Sequence, residues 1–119
     1  MGAEGGAVTE ELWDHGLRAV SIPGWAWFDS AAMLWKQSDG HICMGRIQRE
    51  DPWRPALPVP YLLDPLTAGG LLHMLGPDRF FLNPWPDGWR VKHREESMPL
   101  GVACVHIASM TGRWVGGTP

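Results

Sequence analysis

Asp64-Pro65-Leu66-Thr67-Ala68-Gly69-Gly70-Leu71-Leu72-His73-Met74-Leu75-Gly76-Pro77 is the most fully punctuated stretch of the chain. Asp64 has the short side-chain acceptor that caps a helix start. Pro65 suits the first helical position, where its missing N–H is not needed. Gly76-Pro77 supplies a stop, because glycine accepts the terminating conformation and proline cannot continue the ladder. Between these signals Ala68, Leu71, Leu72 and Leu75 recur at helical spacing and predict a buried stripe. Gly69 and Gly70 each cost about 1 kcal/mol relative to alanine in a helix interior. A close approach by another element would justify that cost.

Upstream, residues 51–60 carry four prolines, a density that neither a helix nor a central strand survives. They read as an extended, packed connector. Its Pro-x-x-Pro spacings, Pro52–Pro55 and Pro55–Pro58, are what such density produces without selection for a recognition motif. Before it, Met33–Gln37 and Ile42–Ile47 flank Asp39-Gly40, a favoured hairpin turn. A two-residue turn sets Trp35 opposite Met44 and Gln37 opposite Ile42. Met33, Trp35, Ile42 and Met44 then share the core face, with Lys36, His41 and Cys43 on the other. Pro23-Gly24 marks a turn ahead of Trp25-Ala26-Trp27-Phe28. A short first helix is expected near 10–15, with Thr9 as cap, Glu10 and Glu11 at the positive dipole end, Val8 stapled onto Trp13, and Gly16 as the stop. Residues 1–7 are Gly/Ala-rich and expected to be loose.

Downstream, Phe80–Pro84 and Trp89–Arg94 predict a second hairpin around Pro86-Asp87-Gly88. Ser97 is placed to cap a last helix with Pro99 early in it. Leu100, Ala103, Cys104, Ile107 and Trp114 follow at helical spacing, while the β-branched Val102, Val105 and Ile107 leave a strand as the alternative. These elements together predict an α+β fold: a small antiparallel sheet of two hairpins with two or three packed helices, in a single domain spanning residues 1–119.

The composition excludes several classes. The chain has 119 residues, a net charge of −3 and a charged fraction of 19%. It has no bulk drive toward nucleic acid or anionic lipid. No run of about 18 apolar residues predicts a membrane span, and the first residues lack a basic, apolar leader. Two cysteines, Cys43 and Cys104, without an export signal point to free thiols in a reducing cytoplasm, although parity alone allows one disulfide.

The segment Leu62–Leu72 resembles a recurring stretch in small uncharacterised phage and prophage proteins. There, a proline-containing approach leads into a D-P-x-T-x-G-x-L-L helix start. Pro23-Gly24-Trp25 and the hairpin through Gly45-Arg46-Ile47 resemble further parts of that pattern. Gly70, in place of a larger residue, and the valine-rich C-terminal segment depart from it. The resemblance implies a phage or mobile-element origin, and hence the cytoplasm of a bacterial host. It implies no catalytic residues.

Three constellations could carry function. His41-x-Cys43 and Cys104-x-His106 form a mirrored pair that would make a Cys2His2 zinc site if both lay on strands. Arg90, Lys92 and Arg94 alternate along the predicted last strand and would form a cationic face for a nucleic-acid backbone. The chain has 8 tryptophans, more than a domain this small readily buries. Trp53, Trp85 and Trp89 stand beside prolines or turn residues, and with Arg54 are expected to converge as an apolar protein-binding patch. Gly-x-Ser-x-Gly, phosphate-loop, dinucleotide and His-Glu-x-x-His motifs are absent from the sequence. No cofactor is expected. The expectation is a non-enzymatic phage-type accessory protein that binds a host protein or complex through an aromatic surface. Inhibition of a host defence complex such as a CRISPR effector is its sharpest form. A nucleic-acid-contacting accessory protein and a small zinc-binding regulator are the alternatives.

Overall fold

The computed structural model describes residues 10–48, 50, 55–76, 82–92 and 96–114. Helix α1 (Glu10–Ser21) leads into strands β1 (Ala32–Lys36), β2 (Ile42–Arg46) and β3 (Val59–Pro60), then helix α2 (Pro65–Leu75). The hairpin β4 (Leu82–Trp85) and β5 (Gly88–Val91) precedes helix α3 (Leu100–Thr111). The strands form two antiparallel sheets, one ordered β2-β1-β3 and the other β4-β5. The α+β expectation therefore stands, with the two hairpins in separate sheets.

Helix α2 forms as its sequence predicts. The Asp64 carboxylate accepts from the Thr67 N–H at 2.9 Å, and Gly76 closes the helix at φ 65° with its N–H donating to the His73 carbonyl. Ala68, Leu71 and Leu75 are buried, joined by Met74, whereas Leu72 is only half-buried. The two glycines differ in role. A Cβ at Gly70 would collide with the Phe28 ring, while one at Gly69 would enter open space. Gly70 thus admits a close aromatic contact, and Gly69 has no such explanation.

Helix α1 runs on to Ser21, well past the expected stop at Gly16. Gly16 is buried inside the helix because β3 lies against it: a Cβ there would sit 2.8 Å from Val59 Cγ2. Its lack of a side chain serves contact, and the helix does not end there. The proposed Thr9 cap and Val8 staple lie outside the described residues.

The first hairpin has a different register from the one predicted. Trp35 faces Cys43, Leu34 faces Met44 and Lys36 faces Ile42. The Gln37 N–H donates to the His41 carbonyl, closing a loop over Ser38-Asp39-Gly40 in which Gly40 takes φ 87°. One extra loop residue with glycine in the left-handed region exchanges the faces of β2 relative to β1. Met33, Trp35, Cys43 and Gly45 share one face. Leu34, Ile42 and Met44 share the other. Met44 is 59% exposed rather than core, and Trp35 is half-buried, its ring lying over the space left by Gly45. Central strand β1 is covered on both sides. Leu34 packs with Val59 and Trp13 of α1, and Met33 packs with Ala31 and Ile47 beneath Trp27 and Phe28. The proline-rich connector, in its described part, ends as the short edge strand β3.

The largest core cluster lies between α2 and α3 and takes in Ala19 and Ile22 on one side and Leu82 and Val91 on the other. Residues 100–111 are helical, which settles the choice against a strand. Ser97 does not cap α3. Its hydroxyl donates to Asp87 Oδ1 at 2.8 Å, and Pro99 occupies the cap position without a side-chain bond. A Cβ at Gly101 would collide with the Leu62 carbonyl oxygen, so this glycine lets α3 lie directly on the chain entering α2.

Asp64 also ties the sheet to α2. Arg46 Nη2 donates to its Oδ1 at 2.7 Å, and Thr67 Oγ1 donates to Oδ2. The Arg46 hydrogen bond, reinforced by those from Thr67 and opposed by burial, holds the Asp64 carboxyl down at about 2.

Two outcomes follow from this packing. Leu71→Ala is expected to cost about 2–5 kcal/mol in urea unfolding, as for other fully buried leucines, and Leu72→Ala clearly less; equal losses would mean that the buried face of α2 is misassigned. The Asp64 carboxyl titrates lower in the folded than in the unfolded chain. Its stabilisation is therefore complete above the unfolded value near 3.8 and is lost as pH falls toward about 2. Asp64→Ala is expected to lower stability at pH 7 by about 0.5–2 kcal/mol and to flatten unfolding curves between those pH values. A variant with unchanged acid sensitivity would contradict this assignment.

Candidate functional site

The β4–β5 hairpin is built from two faces. Antiparallel pairing sets Leu82 opposite Val91 and Pro84 opposite Trp89, alternating with Asn83 opposite Arg90 and Trp85 opposite Gly88. The first two pairs share one face, the other two the opposite face. Leu82 and Val91 are buried, and the half-buried Trp89 packs against the main core. Trp89 is fixed further by paired backbone hydrogen bonds with Met98, each 2.8 Å. The inward face anchors the hairpin, which leaves Asn83, Trp85 and Arg90 outward.

On that outward face Trp85 is 48% exposed. The Arg90 guanidinium carbon lies 3.7 Å from the centre of the Trp85 ring. The two residues are diagonal neighbours across the strands, a separation that long and aromatic side chains span. Stacking orients the guanidinium plane, and the cation is attracted to the π face. Arg90 Nε is shielded from solvent without a hydrogen-bond partner among the described residues.

The other tryptophans do not form the expected surplus surface. Trp13 and Trp114 are buried, and Trp25, Trp27, Trp35 and Trp89 are half-buried. Trp25 meets Trp27 and Trp114 edge to face at 5.1 and 5.8 Å, so aromatic contacts absorb rings that composition alone would leave outside. Among the described residues Trp85 is the exposed tryptophan. Trp53 and Arg54 lie outside the described residues, and Trp89 serves the core.

The cationic face is also altered. Strand β5 ends at Val91, Lys92 lies in the turn after it, and Arg94 is outside the described residues. Arg90 is engaged with Trp85, so the described structure contains no alternating track of three cations.

The mirrored Cys/His pairs do not assemble. His41 and Cys43 belong to the first hairpin, whereas Cys104 and His106 are on α3. There the helical twist sets residues two apart on different sides, with Cys104 fully buried and His106 half-buried. His106 meets His15 of α1 instead, edge to face at 5.8 Å. Among the described residues no group of three or more His, Cys, Asp or Glu is placed to hold a metal ion. The approach of His15 to His106 had no signal in sequence spacing, because it depends on how α1 and α3 pack.

No family model, curated protein or solved structure matches the chain. Among the described residues no helix is long and apolar enough to cross a membrane.

The two thiols differ in character. Burial pushes the Cys104 thiol up to about 12, while Cys43 is half-buried at the sheet. In a native thiol titration with an aromatic disulfide, Cys43 is expected to react and Cys104 only after unfolding. Equally fast reaction of Cys104 would show that α3 is not packed as described.

Proposed function

We propose that this chain is a non-enzymatic, phage-type binding protein that docks on a host protein through the outward face of β4–β5. The observation that carries this reading is the exposed Trp85 ring with Arg90 stacked upon it. Tryptophan and arginine are the residues most enriched where binding energy concentrates. A ring with few rotamers, standing on a hairpin anchored from beneath by Leu82, Trp89 and Val91, loses little conformational entropy on docking. The resemblance of Leu62–Leu72 to phage proteins and the small size of the chain support a host protein as the partner. Inhibition of a defence complex such as a CRISPR effector is the sharpest form of the proposal, and it rests on that origin.

The test is capture from a bacterial host lysate with wild-type, Trp85→Ala and Arg90→Ala baits, followed by affinity measurement on the captured protein. Each substitution is expected to weaken binding by about 2 kcal/mol, roughly 30-fold in Kd, with the melting temperature nearly unchanged. A partner held equally well by both variants would overturn the proposal. So would a salt-sensitive nucleic-acid complex that Arg90→Ala abolishes, which would assign this face to a nucleic-acid backbone.

A further inference from the structure

Strand β2 forms one margin of its sheet, whose order is β2-β1-β3. Two bonds just beyond its pairing with β1 fix which of its backbone groups face outward. The Ile47 N–H donates to the Ala31 carbonyl, and the Gln37 N–H donates to the His41 carbonyl. Hydrogen-bonded pairs alternate along an antiparallel ladder, so Met33–Gly45 and Trp35–Cys43 are the bonded pairs in between. The N–H and C=O groups of Ile42, Met44 and Arg46 therefore point away from β1. The same alternation sends the Ala32 carbonyl to the Tyr61 N–H on the far side of β1. Among the described residues nothing bonds to the outward backbone groups of Ile42, Met44 and Arg46.

Proteins commonly blunt such an edge with proline, a bulge or an unpaired charge, and β2 carries none of these. Its sequence is Ile-Cys-Met-Gly-Arg, and its register with β1 runs without interruption. Its single charge, on Arg46, is neutralised by Asp64 at 2.7 Å. Met44 stands at its centre. Trp13 of α1 packs with Leu34 and Val59 on the same face of the sheet but leaves Met44 mostly uncovered. An open edge and an uncovered apolar side chain thus coincide on one strand.

An edge of this kind is its own complement. Turned about a two-fold axis, a second copy of β2 presents the same outward groups in antiparallel order, as an isologous dimer requires. We propose that the chain forms a homodimer by antiparallel pairing of β2 with β2, the axis passing at Met44. In this register Met44 exchanges backbone bonds with Met44 of the second copy, and Ile42 exchanges them with Arg46. The whole strand is engaged, and the two Met44 side chains lie on one face and cover each other. An axis at Cys43 would put Arg46 beyond the end of the facing strand. Any extended segment offers N–H and C=O groups, but a second copy also supplies an apolar residue opposite Met44. The β4–β5 hairpin belongs to the other sheet and takes no part in this pairing.

The experiment is sedimentation equilibrium of the full chain at concentrations up to about 1 mM. A monomer–dimer equilibrium with Kd below about 1 mM is expected. Met44→Lys sets like charges directly opposite each other across the axis and is expected to weaken the dimer at least about tenfold. Met44→Pro removes an outward donor and none of the bonds to β1, a change that an edge strand tolerates, and is expected to weaken the dimer by at least about as much. Both variants are expected to keep the circular dichroism spectrum of the dilute wild-type monomer. Leu66→Lys, which adds the same charge at another exposed leucine, on α2, is expected to leave dimerisation unchanged. A chain still monomeric at about 1 mM overturns the proposal. So does a dimer that Met44→Lys leaves intact, or one that Leu66→Lys weakens equally.

Discussion

The Asp64 carboxylate joins the two halves of this protein. It caps α2 through the Thr67 N–H, accepts the Thr67 hydroxyl, and receives two guanidinium nitrogens from Arg46 at the end of β2. Arg46 also donates to the Ser30 carbonyl, and the Ala32 N–H donates to Thr67 Oγ1 at 2.7 Å. Helix start, sheet end and the entry to β1 thus share one hydrogen-bonded network. The Asp64 side chain is only 11% exposed, so removing Arg46 would leave its carboxylate short of donors where water reaches poorly, whereas the guanidinium freed by removing Asp64 would be hydrated. The network fixes the direction in which α2 leaves the sheet. Against that direction α3 packs, and α3 in turn supports the β4–β5 hairpin through the main core and the Met98–Trp89 bridge.

The elements readable from the sequence are those whose determinants are local. A cap, a proline and a terminal glycine define α2 within its own residues, and the paired alternation around Pro86-Asp87 locates the second hairpin. What was not readable depends on contacts between distant residues. Asp39-Gly40 announces a turn but serves two loop lengths, and a single residue of difference sets Met44 on the face of Leu34 instead of that of Trp35. Gly16 and Gly101 have the composition of helix breakers. Both sit inside helices, and at each a neighbouring backbone or side chain occupies the space where a Cβ would stand.

The candidate docking face shows the same division. Flanking prolines singled out Trp85, and its exposure agrees. The stacking of Arg90 follows only once the register of β4 with β5 is known. Trp89 joins Trp85 in the sequence reading because it follows the Asp87-Gly88 turn, yet alternation along β5 sends it to the opposite face. The contact of His15 with His106 lies beyond any pattern argument, since it is created by the packing of two helices that are remote in the chain.

The indole of Trp114 donates to the carbonyl of Ala19 at 2.9 Å, its backbone N–H donates to Pro23, and Gly24 is held against its carbonyl. These bonds finish the C-terminal turn of α1 with a residue synthesised long after it. Closing so wide a loop carries an entropic cost that local contacts do not offset in advance, and topologies dominated by such closures fold slowly. During translation the end of α1 would stay uncapped, and Ala19 and Ile22 would stay uncovered, until the chain through Trp114 had emerged. Assembly of this core is therefore expected to follow synthesis of α3 rather than to accompany it.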